Sequence, residues 1–236
     1  MTFTLSISRS LLTALCALCM LGFGLATSGC QRVSTAEARV STLPYYGDAT
    51  FTPHWFASEA EVPADFHRIG AFTVQDQRGA VVTEADFAGK LYIANFFFAA
   101  CPGICPMTMA NMKRLQAEFA NHEDVLLISH SVTPERDSVA VLREFAERTQ
   151  VLAAKWYVVT GEREHLYDLG KRSYFAEEDL GASLVDPAST AREEAFLHTE
   201  SFFLVDGQRR IRGVYNGMNT AAVTQLIADV QTLQQH

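Results

Sequence analysis

The chain has 236 residues and a formal net charge of −8, from 19 Lys and Arg against 27 Asp and Glu. That balance argues against a nucleic-acid partner, whose phosphates select basic surfaces. With 48% hydrophobic residues and 16 Phe, the chain can fill one packed domain, and it shows neither repeats nor low-complexity blocks.

The chain opens with Arg9, an uncharged run over residues 11–26, and then Thr27-Ser28-Gly29-Cys30. A basic start, an apolar run and a small-residue site are the layout of an export signal. The run is shorter than the roughly 20 residues that span a membrane comfortably. The small residue before Cys30 resembles the bacterial lipobox, with Thr27 where that pattern usually has Leu. Residues 1–29 are therefore expected to be a lipoprotein-type signal peptide, with Cys30 as the lipidated first residue. Everything beyond is expected to face an extracytoplasmic, periplasmic-side space and to be held at a membrane.

Residues 30–66 read as a tether followed by irregular structure. Pro44, Pro53 and Pro63 interrupt it, and Tyr45, Tyr46, Phe51, Trp55 and Phe56 are expected to pack against the domain surface. His54 and His67 read as surface or turn residues. The folded domain is expected over 67–236. Residues 69–75 and 80–83 flank Asp76-Gln77-Arg78-Gly79 as a hairpin. Residues 91–99 are nearly all apolar, as in a strand covered on both faces. A helix is predicted over 107–122, with Met109, Met112, Leu115 and Phe119 inward and Pro106 in its first turn. A buried strand over 125–132, a helix over 137–149, a strand over 155–160 and a helix over 163–174 follow. Residues 175–198 form an acidic, Pro-containing insertion. A hairpin of 202–205 and 211–215 turns at Asp206-Gly207, and a helix over 220–233 closes the chain. This order indicates an α/β fold, a thioredoxin-like three-layer sandwich. It would have a central mixed sheet, an N-terminal hairpin and an insertion before the late hairpin.

Of the five cysteines, Cys16 and Cys19 lie in the apolar run and Cys30 is the lipid candidate. The exported body keeps Cys101 and Cys105, delivered by an apolar strand to a predicted helix start. The helix dipole and unpaired N–H groups there favour thiolate. A bridge between positions so close would constrain the unfolded chain little, so the pair is a poor staple. It suits thiol–disulfide exchange or a soft metal. Ordinary thioredoxins have two residues between their cysteines, whereas Pro102, Gly103 and Ile104 stand here. Such proteins also usually carry a proline before the strand facing the disulfide, and no proline follows Pro187. That stretch offers His198 instead. Two thiolates and one imidazole make a soft, low-coordinate set suited to copper as Cu(I) or Cu(II), whereas zinc would prefer a fourth ligand.

The segments 96–106 (FFFAACPGICP), 134–138 (PERDS) and His198 ahead of 202–206 (FFLVD) resemble the Sco/SenC family, over roughly residues 68–234. The resemblance implies a membrane-anchored, thioredoxin-fold copper protein. It implies copper delivery to the CuA centre of cytochrome c oxidase, or reduction of that centre's cysteines. The CuA-bearing subunit would then be the partner, with other copper chaperones or thiol reductants alongside. By position, Cys101, Cys105 and His198 match the family's three copper ligands. Gly103, where many members have an acidic or polar residue, and the basic turn Gln208-Arg209-Arg210 depart from the pattern.

The alternative function is a thiol–disulfide oxidoreductase with Cys101 and Cys105 as its redox-active pair; peroxide reduction ranks below both. Met107, Met109 and Met112 raise a thioether copper site, although their spacing suits core packing. His130 reads as a hydrogen-bonded loop histidine rather than a ligand. Glu135 and Asp137 read as caps of the helix that starts nearby.

Overall fold

The computed structural model describes residues 43–99, 105–176, 178–179, 196–197 and 199–235, all within one compact unit spanning Arg39–His236. The predicted signal peptide, Cys30, Cys101, His198 and most of the 175–198 insertion lie outside the described residues.

Two short strands come first, β1 (Tyr45–Tyr46) and β2 (Pro53–His54), then the hairpin β3 (Thr73–Asp76) and β4 (Val81–Thr83). Asp76 builds that turn, its carboxylate accepting from the N–H groups of Arg78 and Ala80, and Gly79 supplies the positive φ of 83°. The central strand β5 (Leu91–Phe97) leads to α1 (Cys105–Glu118). Next are β6 (Val125–Ser131), α2 (Val139–Thr149), β7 (Trp156–Thr160) and α3 (Arg163–Asp168). Where one helix was predicted over 163–174, α3 ends at Asp168 and the chain continues as a π-helical turn, Leu169–Ser173. A two-residue pair follows, β8 (Glu178–Asp179) with β9 (Phe196–Leu197). The hairpin of β10 (Ser201–Val205) and β11 (Ile211–Asn216) then leads to α4 (Thr220–Leu233).

Among the described residues, nine strands form one sheet in the order β2-β1-β11-β10-β5-β6-β7-β3-β4. Only β5, β6 and β7 are mutually parallel; the other pairings are antiparallel. The side chains of β5 alternate between two cores. Ile93 and Phe97 join Met109, Met112, Leu115, Leu142, Phe145, Val223 and Leu226 beneath α1, α2 and α4. Tyr92, Ala94 and Phe96 join Phe72, Leu166, Tyr167 and Tyr174 on the opposite face. The result is an α/β, thioredoxin-like fold with its sheet covered on both sides.

The segment expected to be irregular contributes to this sheet. β1 pairs with β11 through Tyr46 and Ile211, and Tyr45 is buried. Phe51 reaches the second core, its ring 6.0 Å from Phe175 and 6.3 Å from Phe203. A two-residue strand carries no readable period, so sequence pattern cannot reveal it.

Candidate metal centre

β5 and β6 stay in register from Leu91 opposite Val125 to Phe97 opposite Ser131, and β7 extends the parallel set. The carboxyl ends of three central strands therefore share one edge. The chain leaves β5 there through Phe98 and Ala99 and resumes regular structure at Cys105, the first residue of α1. Cys105 thus stands at a helix start beside the strand edge. Antiparallel to β5, β10 starts at this same edge with Ser201, and Phe203 lies opposite Ala94. Phe202 and Leu204 of β10 join the core beneath α1. The other two predicted donors, Cys101 and His198, lie outside the described residues. Among the described residues, no three His, Cys, Asp or Glu side chains gather to hold a metal.

The loop between β6 and α2 closes this edge. Asp137, predicted to cap α2, instead turns inward and is buried. Its carboxylate accepts from Ser131 Oγ at 2.6 Å, from Thr133 Oγ1 at 3.0 Å and, with both oxygens at 3.3 Å, from the Ala99 N–H. The cap is Ser138, whose hydroxyl accepts from the Val141 N–H. Glu135 does not cap either; it pairs with Arg163 at 3.1 Å. Sequence reasoning missed the inward carboxylate. Its signal was present in Ser131 and Thr133, hydroxyl residues two positions apart on one face just ahead of it, because buried hydroxyls need partners.

His130 also differs from expectation. It lies inside β6, completely buried, and neither ring nitrogen has a hydrogen-bond partner among the described residues. Phe96 stacks on it at 5.3 Å, and Phe72 meets it edge-on at 5.8 Å. Burial, reinforced by nearby His165, pushes its pKa down to about 3. Its place on the strand face opposite α1, with Phe96 in its core, leaves it no hydrogen-bonded loop setting. Two of the three methionines are where their spacing suggested. Met109 and Met112 fill the core beneath α1, whereas Met107 is 52% exposed on the first turn of that helix.

The SCO1/SenC family model matches residues 61–235, nearly the whole described body. The chain belongs to the SCO1/SenC family. It is 30% identical over 167 residues to the SCO1 protein homolog of Bacillus subtilis, covering 70% of this chain and 82% of that one. Among solved structures it is similar to a SCO1/SenC family lipoprotein from Bacillus anthracis. Identity there is 26% and the TM-score 0.60, over 74% of this chain and 98% of the other. BsSco, described as having a disulfide switch and as a member of the Sco family of cytochrome c oxidase assembly proteins, is 27% identical. Its TM-score is also 0.60, over 72% of this chain and 94% of BsSco. The fold is shared, at 24% identity and a TM-score of 0.55, with Arabidopsis thaliana ScoI solved with copper bound; 71% of this chain and 98% of ScoI are covered.

Proposed function

We propose that this SCO1/SenC member is a membrane-anchored, extracytoplasmic copper-binding protein that delivers copper to, or matures, the CuA centre of cytochrome c oxidase. Cys101, Cys105 and His198 hold the metal. Residues 1–29 serve as the signal peptide, Cys30 carries the lipid, and the chain after it ties that anchor to the working domain, whose sheet already includes β1 and β2. The observation that carries this reading is Cys105 at the first position of α1, beside the carboxyl edge of β5. A thiolate there, a second four residues earlier and an imidazole from the chain entering β10 make a soft donor set that suits Cu(I) and tolerates Cu(II). Copper is the cargo, so the site must release it as well as hold it, and a low-coordinate set without a fourth ligand leaves room for an incoming donor.

Reduced protein should bind one copper per chain, with thiolate-to-Cu(II) charge-transfer bands in the oxidised metal state. His198→Ala should lose or shift those bands and weaken binding. Unchanged affinity in His198→Ala with both cysteines reduced would reject the three-ligand assignment.

A second reading, thiol–disulfide oxidoreductase, is favoured by the disulfide switch described for BsSco. It requires both cysteines and dispenses with His198. Complementation of oxidase assembly separates the two, since copper delivery fails with either Cys101→Ser or His198→Ala, and thiol reduction fails only with the former.

A further inference from the structure

The last ladder bond between β5 and β6 runs from the Val132 N–H to the Phe97 carbonyl. Beyond it, Ala99 has no strand partner among the described residues, and its N–H would face the sheet edge unpaired. The Asp137 carboxylate takes that N–H. All three of its described partners, Ser131 Oγ, Thr133 Oγ1 and the Ala99 N–H, are donors, which is the set a carboxylate accepts from. The loop behind it is braced as well. The N–H groups of Arg136 and Asp137 both donate to the Thr133 carbonyl at 2.9 Å, and the Thr133 N–H donates to Ser131 Oγ at 3.1 Å. One buried side chain thus fastens the exit of β5 to the rigid β6–α2 loop, two residues before Cys101.

We propose that Asp137 is the positioning residue of the dithiol, fixing through Ala99 the point from which the arm bearing Cys101 departs. Cys105 is fixed independently, because it belongs to α1. Cys101 lies within about 7 Å of chain from the tethered Ala99. Anchoring both ends of a short connection raises the effective concentration of one thiol against the other. Releasing the Ala99 end lowers it. This inference rests on Cys101 and Cys105 being the reactive pair.

The test uses the copper-free protein, equilibrated in dithiothreitol buffers and trapped for quantitation of the Cys101–Cys105 disulfide. Asp137→Ala should lower the equilibrium constant for disulfide formation about tenfold, a potential roughly 30 mV less negative. Asp137→Asn, whose amide oxygen can still accept from Ala99, should stay within about twofold of wild type. Ser131→Ala and Thr133→Val remove the carboxylate's other partners and keep the tether, so they should lower the urea midpoint while leaving the disulfide constant within about twofold. Three results overturn the proposal: Asp137→Ala matching wild type, Asp137→Asn falling as far as Asp137→Ala, or Thr133→Val shifting the constant equally. If Asp137→Ala does not fold, hydrogen exchange of the wild-type Ala99 amide decides. Exchange at least about tenfold slower than a free amide supports the tether, and free exchange refutes it. A wild type that forms no such disulfide overturns both the pair and this inference; one that forms it equally in every variant overturns the inference alone.

Discussion

The His130 imidazole lies against the Phe96 ring, centroids 5.3 Å apart and planes 27° from parallel, with both nitrogens buried among aromatic carbon. The native state therefore holds a neutral histidine whose pKa is about 3, against 6.5 for the free group. The stability associated with the neutral ring is complete above pH 6.5. It is lost as pH falls toward 3, because the unfolded chain takes up the proton and the native chain does not. The steepest loss from this residue is about 1.4 kcal/mol per pH unit. Urea midpoints at pH 7 and pH 5 should differ more for wild type than for His130→Leu, and equal differences would remove His130 as the cause.

Asp206 carries another buried polar cluster. Its carboxylate meets Arg210 Nε at 2.9 Å and Arg212 Nη1 at 3.3 Å, and both guanidiniums lie over the Tyr45 ring, at 4.9 and 3.8 Å. It also accepts from the Gln208 and Arg210 N–H groups and so shapes the β10–β11 turn. Asp206→Ala leaves Arg212 with only carbonyl acceptors and Arg210 with only Glu59 as an anionic partner, and should cost about 3 kcal/mol in chemical denaturation. In a double-mutant cycle with Arg212→Met, the two changes should be strongly non-additive.

Met112 is a test of the thioether alternative. Being fully buried, it should lose about 2–5 kcal/mol of stability as Met112→Ala and less than about 1.5 as Met112→Leu. Copper stoichiometry of the folded Met112→Leu protein should equal that of wild type. A loss of bound metal in that variant would bring the core methionines back as ligands.

The two glycines Gly89 and Gly207 touch across the base of β5, where the Gly89 N–H donates to the Gly207 carbonyl. A Cβ on Gly207 would meet Gly89 backbone carbons at 2.8 Å, whereas one on Gly89 would meet open space. Gly89 has a φ of 72°, so its own replacement by Ala carries a conformational cost of about 1 kcal/mol. Gly207→Ala should destabilise more than Gly89→Ala, because two backbones must separate.

The elements with a long, clear pattern were legible. Leu91–Phe97 reads as a two-sided strand because its apolar run is broken only by Asn95, and Thr220–Leu233 reads as a helix because Val223, Leu226, Ile227 and Val230 recur at helical spacing. Cys105 at a helix start was legible for the same reason, since the strand before and the spacing after both point to it. What pattern cannot carry is the destination of a single polar side chain. Asp137 next to Ser138 looks like a cap pair, and only the tertiary position of Ala99 decides that the hydroxyl caps and the carboxylate turns inward. His130 was misread because its hydrophobic surroundings in three dimensions, Phe72 just ahead of β3 and Phe96 within β5, are spread over 59 residues of sequence.

The Arg212 guanidinium donates to the carbonyls of Leu43 and Pro44, clamping the incoming chain beside the β10–β11 turn. That turn lies at the amino end of β5, because Val205 pairs with Tyr92. Cys105 follows the other end, and the seven residues of β5 separate the two by roughly 23 Å. The incoming chain is thus gripped at one end of β5, and the proposed thiols belong to the other. A load on the chain at Leu43 is therefore borne by Arg212 and the outer strands of the sheet before it can reach α1.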